Sequence, residues 1–267
     1  MNRVTPDTPQ PEVVELIRRD GYVLMENALE SAQLASLNAA YDRQLAQQAA
    51  EPGALRIEIP RILERDAAFE VLMDLPTTFL IARSIIGADI ELATSGELDH
   101  KLPRTAAYIA WHNDFQRMID TPYPRQNFWI RCTYFLAEVT DLTGPFTLLP
   151  RSHLAKHACP SDLKDADGQP KDLEGQIGIT GLAGSCLINN TEIWHTNSRL
   201  TGDLPRRLVM ILYKHAWMKQ WQDGYQTTPE FAGRQTDPIR RQLTGGIVWH
   251  HDSTSFPALK LPTSTPS

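Results

Sequence analysis

The sequence predicts a mainly β fold with flanking helices, and three observations lead there. Roughly the first 90 residues place apolar side chains at three- and four-residue steps. The remainder carries short runs of β-branched and aromatic residues, and turn formers rather than helices separate those runs. Such spacing suits a sandwich or barrel better than alternating βαβ units.

Residues 1–10 are polar and proline-rich. Val13, Val14, Ile17 and Tyr22 predict a short helix from Pro11 that ends at Gly21, followed by a strand at Tyr22–Met25. Leu34, Leu37, Tyr41 and Leu45 predict an amphipathic helix over 31–50. A second helical stretch, 67–86, is interrupted near Pro76 and stopped by Gly87. Strands are then expected at 90–98, 105–112, 127–139, 146–149, 176–180, 185–193 and 206–217. Residues 160–174 are polar and punctuated by Gly and Pro, a surface loop or lid. No linker or repeat divides the chain. It is expected to be one domain over 1–267: a helical part at about 11–88, a β core at about 89–217, and a lid or tail at 218–267.

Bulk composition excludes several classes. A net charge of −6 without a basic run argues against nucleic acid as a partner. Cys132, Cys159 and Cys186 are widely spaced with no C-x-x-C pair, which argues against a disulfide framework or zinc ribbon and suits a reducing compartment. There is neither a signal-like segment nor an apolar run of about 18 residues. A soluble cytoplasmic protein acting on a small molecule is expected, and nothing in the sequence sets its oligomeric state.

The chemistry concentrates around Trp111-His112-Asn113-Asp114, which ends an apolar run. On a strand, alternate side chains share a face, so Tyr108, Ala110, His112 and Asp114 would point one way. Two histidines and one carboxylate leave a face of an octahedral ion open, as non-haem Fe(II) oxygenases require. H-x-D alone has little specificity, because His250-His251-Asp252 repeats it. That copy has only 15 residues after it and no later histidine, so it reads as a surface or lid element. The first copy is followed by His195, and Arg206 stands 11 residues beyond that. Alternation puts Arg206 with Leu208 and Met210 on one face, and Arg207 with Val209 and Ile211 on the other. An arginine projecting into an apolar barrel is costly unless an anion meets it, and a ligand carboxylate is the expected anion.

Other features are weaker. His153 and His157 have a zinc-like spacing but follow a turn at Pro150 and lack a glutamate after the first histidine, so no second metal is expected. Trp217, Trp221, Tyr225 and Trp249 form a late aromatic cluster that either packs or covers a barrel mouth, and Trp217 and Trp249 are kept as substrate candidates. Phe115 and Arg117 follow the metal motif directly and would face the substrate.

Taken together, H-x-D, the run Thr143-Gly-Pro-Phe-Thr-Leu-Leu-Pro-Arg-Ser-His153, and H-x10-R with Pro205 before the arginine resemble the phytanoyl-CoA dioxygenase family. The opening from Arg18 to Leu29 resembles that family's helix-to-strand entry, so the likeness covers about 18–217. It implies a double-stranded β-helix (jelly-roll, cupin-like) core with the N-terminal helices packed outside. It implies Fe(II) held by His112, Asp114 and His195, with 2-oxoglutarate and O2 as co-substrates. Arg206 would meet the distal carboxylate of 2-oxoglutarate, helped by Asn197 and by Thr133 or Tyr108. The implied reaction is hydroxylation of an unactivated C–H bond with release of succinate and CO2. Asp114 speaks against halogenation, because halogenating relatives lack that carboxylate. An arginine excess over lysine, 19 to 7, suits a GC-rich bacterial genome and specialised metabolism. The family's usual G-S-H is Arg151-Ser152-His153 here, and its Gly-Asp is Gly184-Ser185; both departures fall at turns. Two other readings stand beside this one: a cupin-type metal enzyme that does not use 2-oxoglutarate, and a non-catalytic β-helix binding protein.

Overall fold

The computed structural model describes residues 1–107, 109–114, 129–222 and 224–246. The N-terminal part alternates helix and strand: β1 (Arg3–Val4), α1 (Gln10–Asp20), β2 (Tyr22–Met25), α2 (Ser31–Leu45), β3 (Arg56–Pro60) and α3 (Ile62–Arg65). The stretch expected to break near Pro76 does so, into a 3-10 turn at Ala67–Met73 and α4 (Pro76–Ile86). The β part follows as β4 (Ile90–Leu92), β5 (Glu97–Lys101), β6 (Trp129–Phe135), β7 (Phe146–Leu148), β8 (Ile177–Ile179), β9 (Cys186–Asn190), β10 (His195–Asn197) and β11 (Arg206–His215). Two short helices, α5 (Pro229–Arg234) and α6 (Pro238–Leu243), close the described chain.

Eight strands form the large sheet in the order β1-β2-β9-β6-β11-β5-β3, with β4 pairing the far end of β11; β10-β7-β8 form a small sheet. Period-2 alternation on the two central strands sets the layers. Cys132 and Tyr134 of β6, with Val209, Ile211 and Tyr213 of β11, join a core that includes Val13, Ile17, Leu37, Tyr41 and Phe79 from the helices. The opposite face sends Leu187 and Leu208 against Leu148 and Ile179 of the small sheet. A two-layer jelly roll with helices outside is the result.

Two expectations are corrected. Residues 105–107 and 109–112 do not form a strand. Arg104 takes a left-handed φ of 54°, and only Thr105 and His112 make single bridges, to Leu200 and His195. The carbonyls of Ile109 and Ala110 accept from the side chains of Thr196 (2.6 Å) and His112 (2.9 Å), so no backbone ladder extends there. Conversely β3, which the sequence did not suggest, pairs with β5 along Arg56↔Lys101 to Pro60↔Glu97.

Gly21 shows how α1 is turned into β2. Its φ of 91° ends the helix, and its N–H caps the Ile17 carbonyl at 2.8 Å. A Cβ there would come within 2.7 Å of Ile193 and 2.8 Å of His153. Gly21→Ala should therefore destabilise the fold by about 2 kcal/mol or more, through backbone strain plus overpacking. Chemical denaturation of the variant checks this.

Candidate metal centre and its cavity

His195 is placed by β10, the edge strand of the small sheet, and His112 by a two-way backbone bridge to it. His112 N–H donates to the His195 carbonyl (3.1 Å), and His195 N–H donates back (2.9 Å). Asp114 N–H then donates to the Thr191 carbonyl (3.3 Å). These bonds bring His112, Asp114 and His195 together with donor atoms within 4.8 Å of one another, the metal-capable cluster found among the described residues.

The orientation of both rings is fixed. Nδ1 of His112 lies 2.9 Å from the Ala110 carbonyl, and Nδ1 of His195 lies 2.8 Å from the Ile193 carbonyl. A carbonyl only accepts, so each Nδ1 carries the proton and each Nε2 presents a lone pair. Asp114 Oδ1 faces both, 3.7 Å from His112 Nε2 and 3.5 Å from His195 Nε2. Burial, then the neighbouring His195, lowers the His112 pKa to about 4, so its ring stays neutral. Burial alone would raise Asp114, but the Arg131 guanidinium beside it holds the carboxyl well below the usual range. Neutral imidazoles and an ionised carboxylate are the donor set that a divalent iron needs.

Arg131, not singled out from the sequence, completes this centre. Its Nη2 donates to Asp114 Oδ2 (2.5 Å) and its Nη1 lies 3.3 Å from His195 Nε2. Oδ2 can keep this ion pair while Oδ1 ligates; only the contact to His195 must open. The signal was present: Arg131 shares its strand face with Thr133, which alternation already turned inward.

A cavity of about 490 Å³ opens from the cluster and is lined by Arg206, Asn197, Thr133 and Phe146, among others. Phe146 stacks on His195, with ring centroids 4.9 Å apart. Thr133 is fully buried, and its hydroxyl has no hydrogen-bond partner among the described residues. Arg206 points inward as expected, whereas Arg207 lies over the Tyr41 ring and pairs with Asp42 (2.7 Å) on the helical side. The anion beside Arg206 is nevertheless the chain's own: Nη2 donates to Asp99 (2.7 Å) and Nη1 to the Gly144 carbonyl (2.6 Å). Burial of Arg206 therefore does not by itself require a ligand carboxylate.

Trp217 stands apart from the cavity among the described residues. It is 62% exposed, stacks on His215 and does not line the cavity, while Trp221 and Tyr225 do. His153 is tied to the Arg18 carbonyl (3.0 Å) and does not join His157 in a metal cluster. Tyr108, Phe115, Arg117, Trp249, His250 and Asp252 lie outside the described residues.

A jelly roll whose small sheet carries a His-Asp-His cluster beside an open cavity defines the class of non-haem iron oxygenases. The chain belongs to the phytanoyl-CoA dioxygenase family, whose model, "Phytanoyl-CoA dioxygenase (PhyH)", matches residues 17–208. It is an Fe(II)/2-oxoglutarate-dependent dioxygenase, with iron as cofactor and 2-oxoglutarate and O2 as co-substrates. Similar proteins include the ectoine dioxygenase of Sphingopyxis alaskensis, 24% identical over 259 residues, covering 85% of this chain and 84% of that protein. The ectoine dioxygenase of Stutzerimonas stutzeri is 27% identical over 235 residues, covering 76% of each. Among solved structures, the epimerase SnoN in complex with Fe3+, alpha ketoglutarate and nogalamycin RO has a TM-score of 0.64 at 18% identity, covering 86% of this chain and 92% of that one. HygX from Streptomyces hygroscopicus, with nickel and 2-oxoglutarate bound, has a TM-score of 0.65 at 14% identity, covering 82% and 92%. No helix among the described residues is long and apolar enough to cross a membrane.

Two predictions follow from the cluster's electrostatics. His112 titrates near 6.5 when unfolded and near 4 when folded, so between these values the unfolded chain binds the extra proton. His112 therefore costs the metal-free protein stability as pH falls across that window, while Glu97, raised by burial to about 8, contributes with the opposite sign. The Tm of metal-free His112→Gln should rise relative to that of the wild type as pH falls from 6.5 to 4, because the comparison leaves Glu97, His100 and His153 common to both proteins. Arg131→Leu should weaken manganese binding by about 10–100-fold, as loss of a ligand's outer partner does, measured by calorimetry.

Proposed function

We propose that this enzyme hydroxylates an unactivated C–H bond of a small molecule, with His112, Asp114 and His195 as the iron ligands. The observation that carries this is the convergence of two Nε2 lone pairs and one carboxylate oxygen, with each Nδ1–H anchored to a backbone carbonyl. Bound iron and 2-oxoglutarate supply the oxidising chemistry, with release of succinate and CO2.

The chain's own residues bind, orient and exclude water. Arg131 holds the outer oxygen of Asp114, and so favours coordination through one oxygen and keeps further positions open. Arg206 and Asn197 reach the cavity from neighbouring strands and are assigned to the far carboxylate of 2-oxoglutarate. Thr133, with its buried unpaired hydroxyl, is assigned to a polar atom of the bound molecules. Phe146 shields the His195 ring from water.

We place the substrate in bacterial specialised metabolism. The arginine-rich composition supports this, as does likeness in fold to SnoN, solved with nogalamycin RO, and to HygX, solved with hygromycin B. Three buried free cysteines suit the reducing conditions of a cytoplasm.

Calorimetric titration of 2-oxoglutarate, with and without manganese(II), tests the reading, followed by succinate release across a substrate panel. Binding should require the metal and be lost in Asp114→Ala; metal-independent binding, or none, would sink the assignment. Asn197→Ala should weaken 2-oxoglutarate binding about tenfold, the size of one lost hydrogen bond. Arg206→Ala should weaken that binding without abolishing it and also cost roughly 3–5 kcal/mol of stability, because it removes the ion-pair partner of buried Asp99.

A further inference from the structure

One end of the cavity carries more carboxyl groups than the oxygenase chemistry uses. Among the described residues lining it, three guanidiniums (Arg56, Arg131, Arg206) face four carboxylates (Glu58, Glu97, Asp99, Asp114). Arg131 pairs with Asp114, Arg206 with Asp99, and Arg56 closely with Glu58. Glu97 is left with the far side of Arg56, at 3.8 Å. A divalent iron and a dianionic keto acid add no net charge, so loading the enzyme leaves this excess in place. Lys101 donates to the Ser198 carbonyl (2.5 Å), interacts with Asp99 and is not among the residues lining the cavity.

The surroundings of Glu97 point to an occupant. Met210 pairs with Glu97 on one side and Thr133 on the other, so both lie in one row of the sheet's inner face. The Thr133 hydroxyl, fully buried and without a partner among the described residues, is aimed into the same space and requires a polar ligand atom there. Beyond this row stands an aromatic wall. Trp129 and Trp221 meet edge to face with centroids 4.9 Å apart, and the bend between β4 and β5 is tied to this region by Trp221 N–H to the Ala93 carbonyl (2.8 Å) and Ser95 N–H to the Tyr225 carbonyl (2.8 Å). Carboxylate and indole faces together select cations. Burial, then Glu58 and Asp99, push the Glu97 carboxyl up to about 8, a cost that a positive ligand relieves.

We propose that this end of the cavity is a cation site, in which Glu97 and Glu58 hold an ammonium or amidinium group of the substrate against Trp129 and Trp221. It rests on reading the cavity as the oxygenase's substrate chamber, and it names the substrate class as organic cations. A cation there would favour the ionised form of Glu97, which a substrate carrying only carboxylates would disfavour.

The test is calorimetric titration of the manganese(II)- and 2-oxoglutarate-loaded protein with benzylammonium, benzyl alcohol and benzoate. Benzylammonium should bind at least about tenfold more tightly than the other two, and Glu97→Gln should erase that preference. Equal or tighter binding of benzyl alcohol or benzoate, or a preference that survives in Glu97→Gln, overturns the proposal. If Glu97→Gln does not fold, Glu58→Gln on the cavity rim decides: a loss of about threefold or more supports the site and no loss overturns it. Manganese-dependent binding of 2-oxoglutarate is measured first. Its absence overturns the oxygenase reading alone, and the same three ligands on the metal-free protein still decide whether the cation site exists.

Discussion

The large sheet has no face left to solvent. Helices cover one side and the small sheet covers the other, so every residue on β6 and β11 must be committed to a core or to the cavity. On both strands one set of alternate residues (Ile130, Cys132 and Tyr134; Val209, Ile211 and Tyr213) goes to the helices, while Trp129, Arg131 and Thr133, and Arg206, Leu208 and Met210, go inward. A shift of one residue in either strand would drive a guanidinium into the apolar layer beneath α1, α2 and α4. The position of every inward group therefore depends on register, and the apolar contacts with the helices set that register.

The inner face tolerates its charges because each arginine meets a carboxylate from another element. Arg131 of β6 meets Asp114 from the irregular segment, and Arg206 of β11 meets Asp99 of β5. A buried pair of this kind adds little net stability, but loss of either member is expensive. The pairs consequently act as positional constraints. The Arg131 pair also turns Asp114 so that Oδ1 faces the histidines, and the carbonyls of Ala110 and Ile193 do the same for the rings. The donor set is oriented by groups that fold with the chain, which lowers the reorganisation a metal would demand.

Much of this was legible in the sequence. The period-2 run at 206–215 assigned Arg206 and Arg207 to opposite faces, and the order of H-x-D, a late histidine and an arginine, with the family likeness it carries, joined His112 and Asp114 to His195. What stayed hidden has physical causes. β3 is short, charged and ends in proline, so Arg56-Ile-Glu-Ile-Pro60 reads as surface, although β5 draws it into the sheet and turns Glu58 toward the cavity. Residues 105–112 alternate like a strand in sequence, but 105–107 and 109–112 have almost no neighbouring backbone to pair with. Asp99 lies 107 residues from Arg206, and their contact is a property of the β5–β11 register that one sequence does not display.

Asp99 changes the logic of the cavity as well as its description. An arginine buried without an anion would make the fold depend on 2-oxoglutarate; with Asp99 beside it, Arg206 is neutralised when the sheet forms, before any ligand arrives. A ligand carboxylate then approaches an ion pair instead of a bare cation, and gains less Coulombic attraction from it. The keto acid must be held largely by its chelation to the metal and by directional hydrogen bonds, with Arg206 setting orientation more than affinity. It follows that charge complementarity in this cavity is left for the other bound molecule, and Glu97, the carboxylate with the weakest internal partner, is where that complementarity is required.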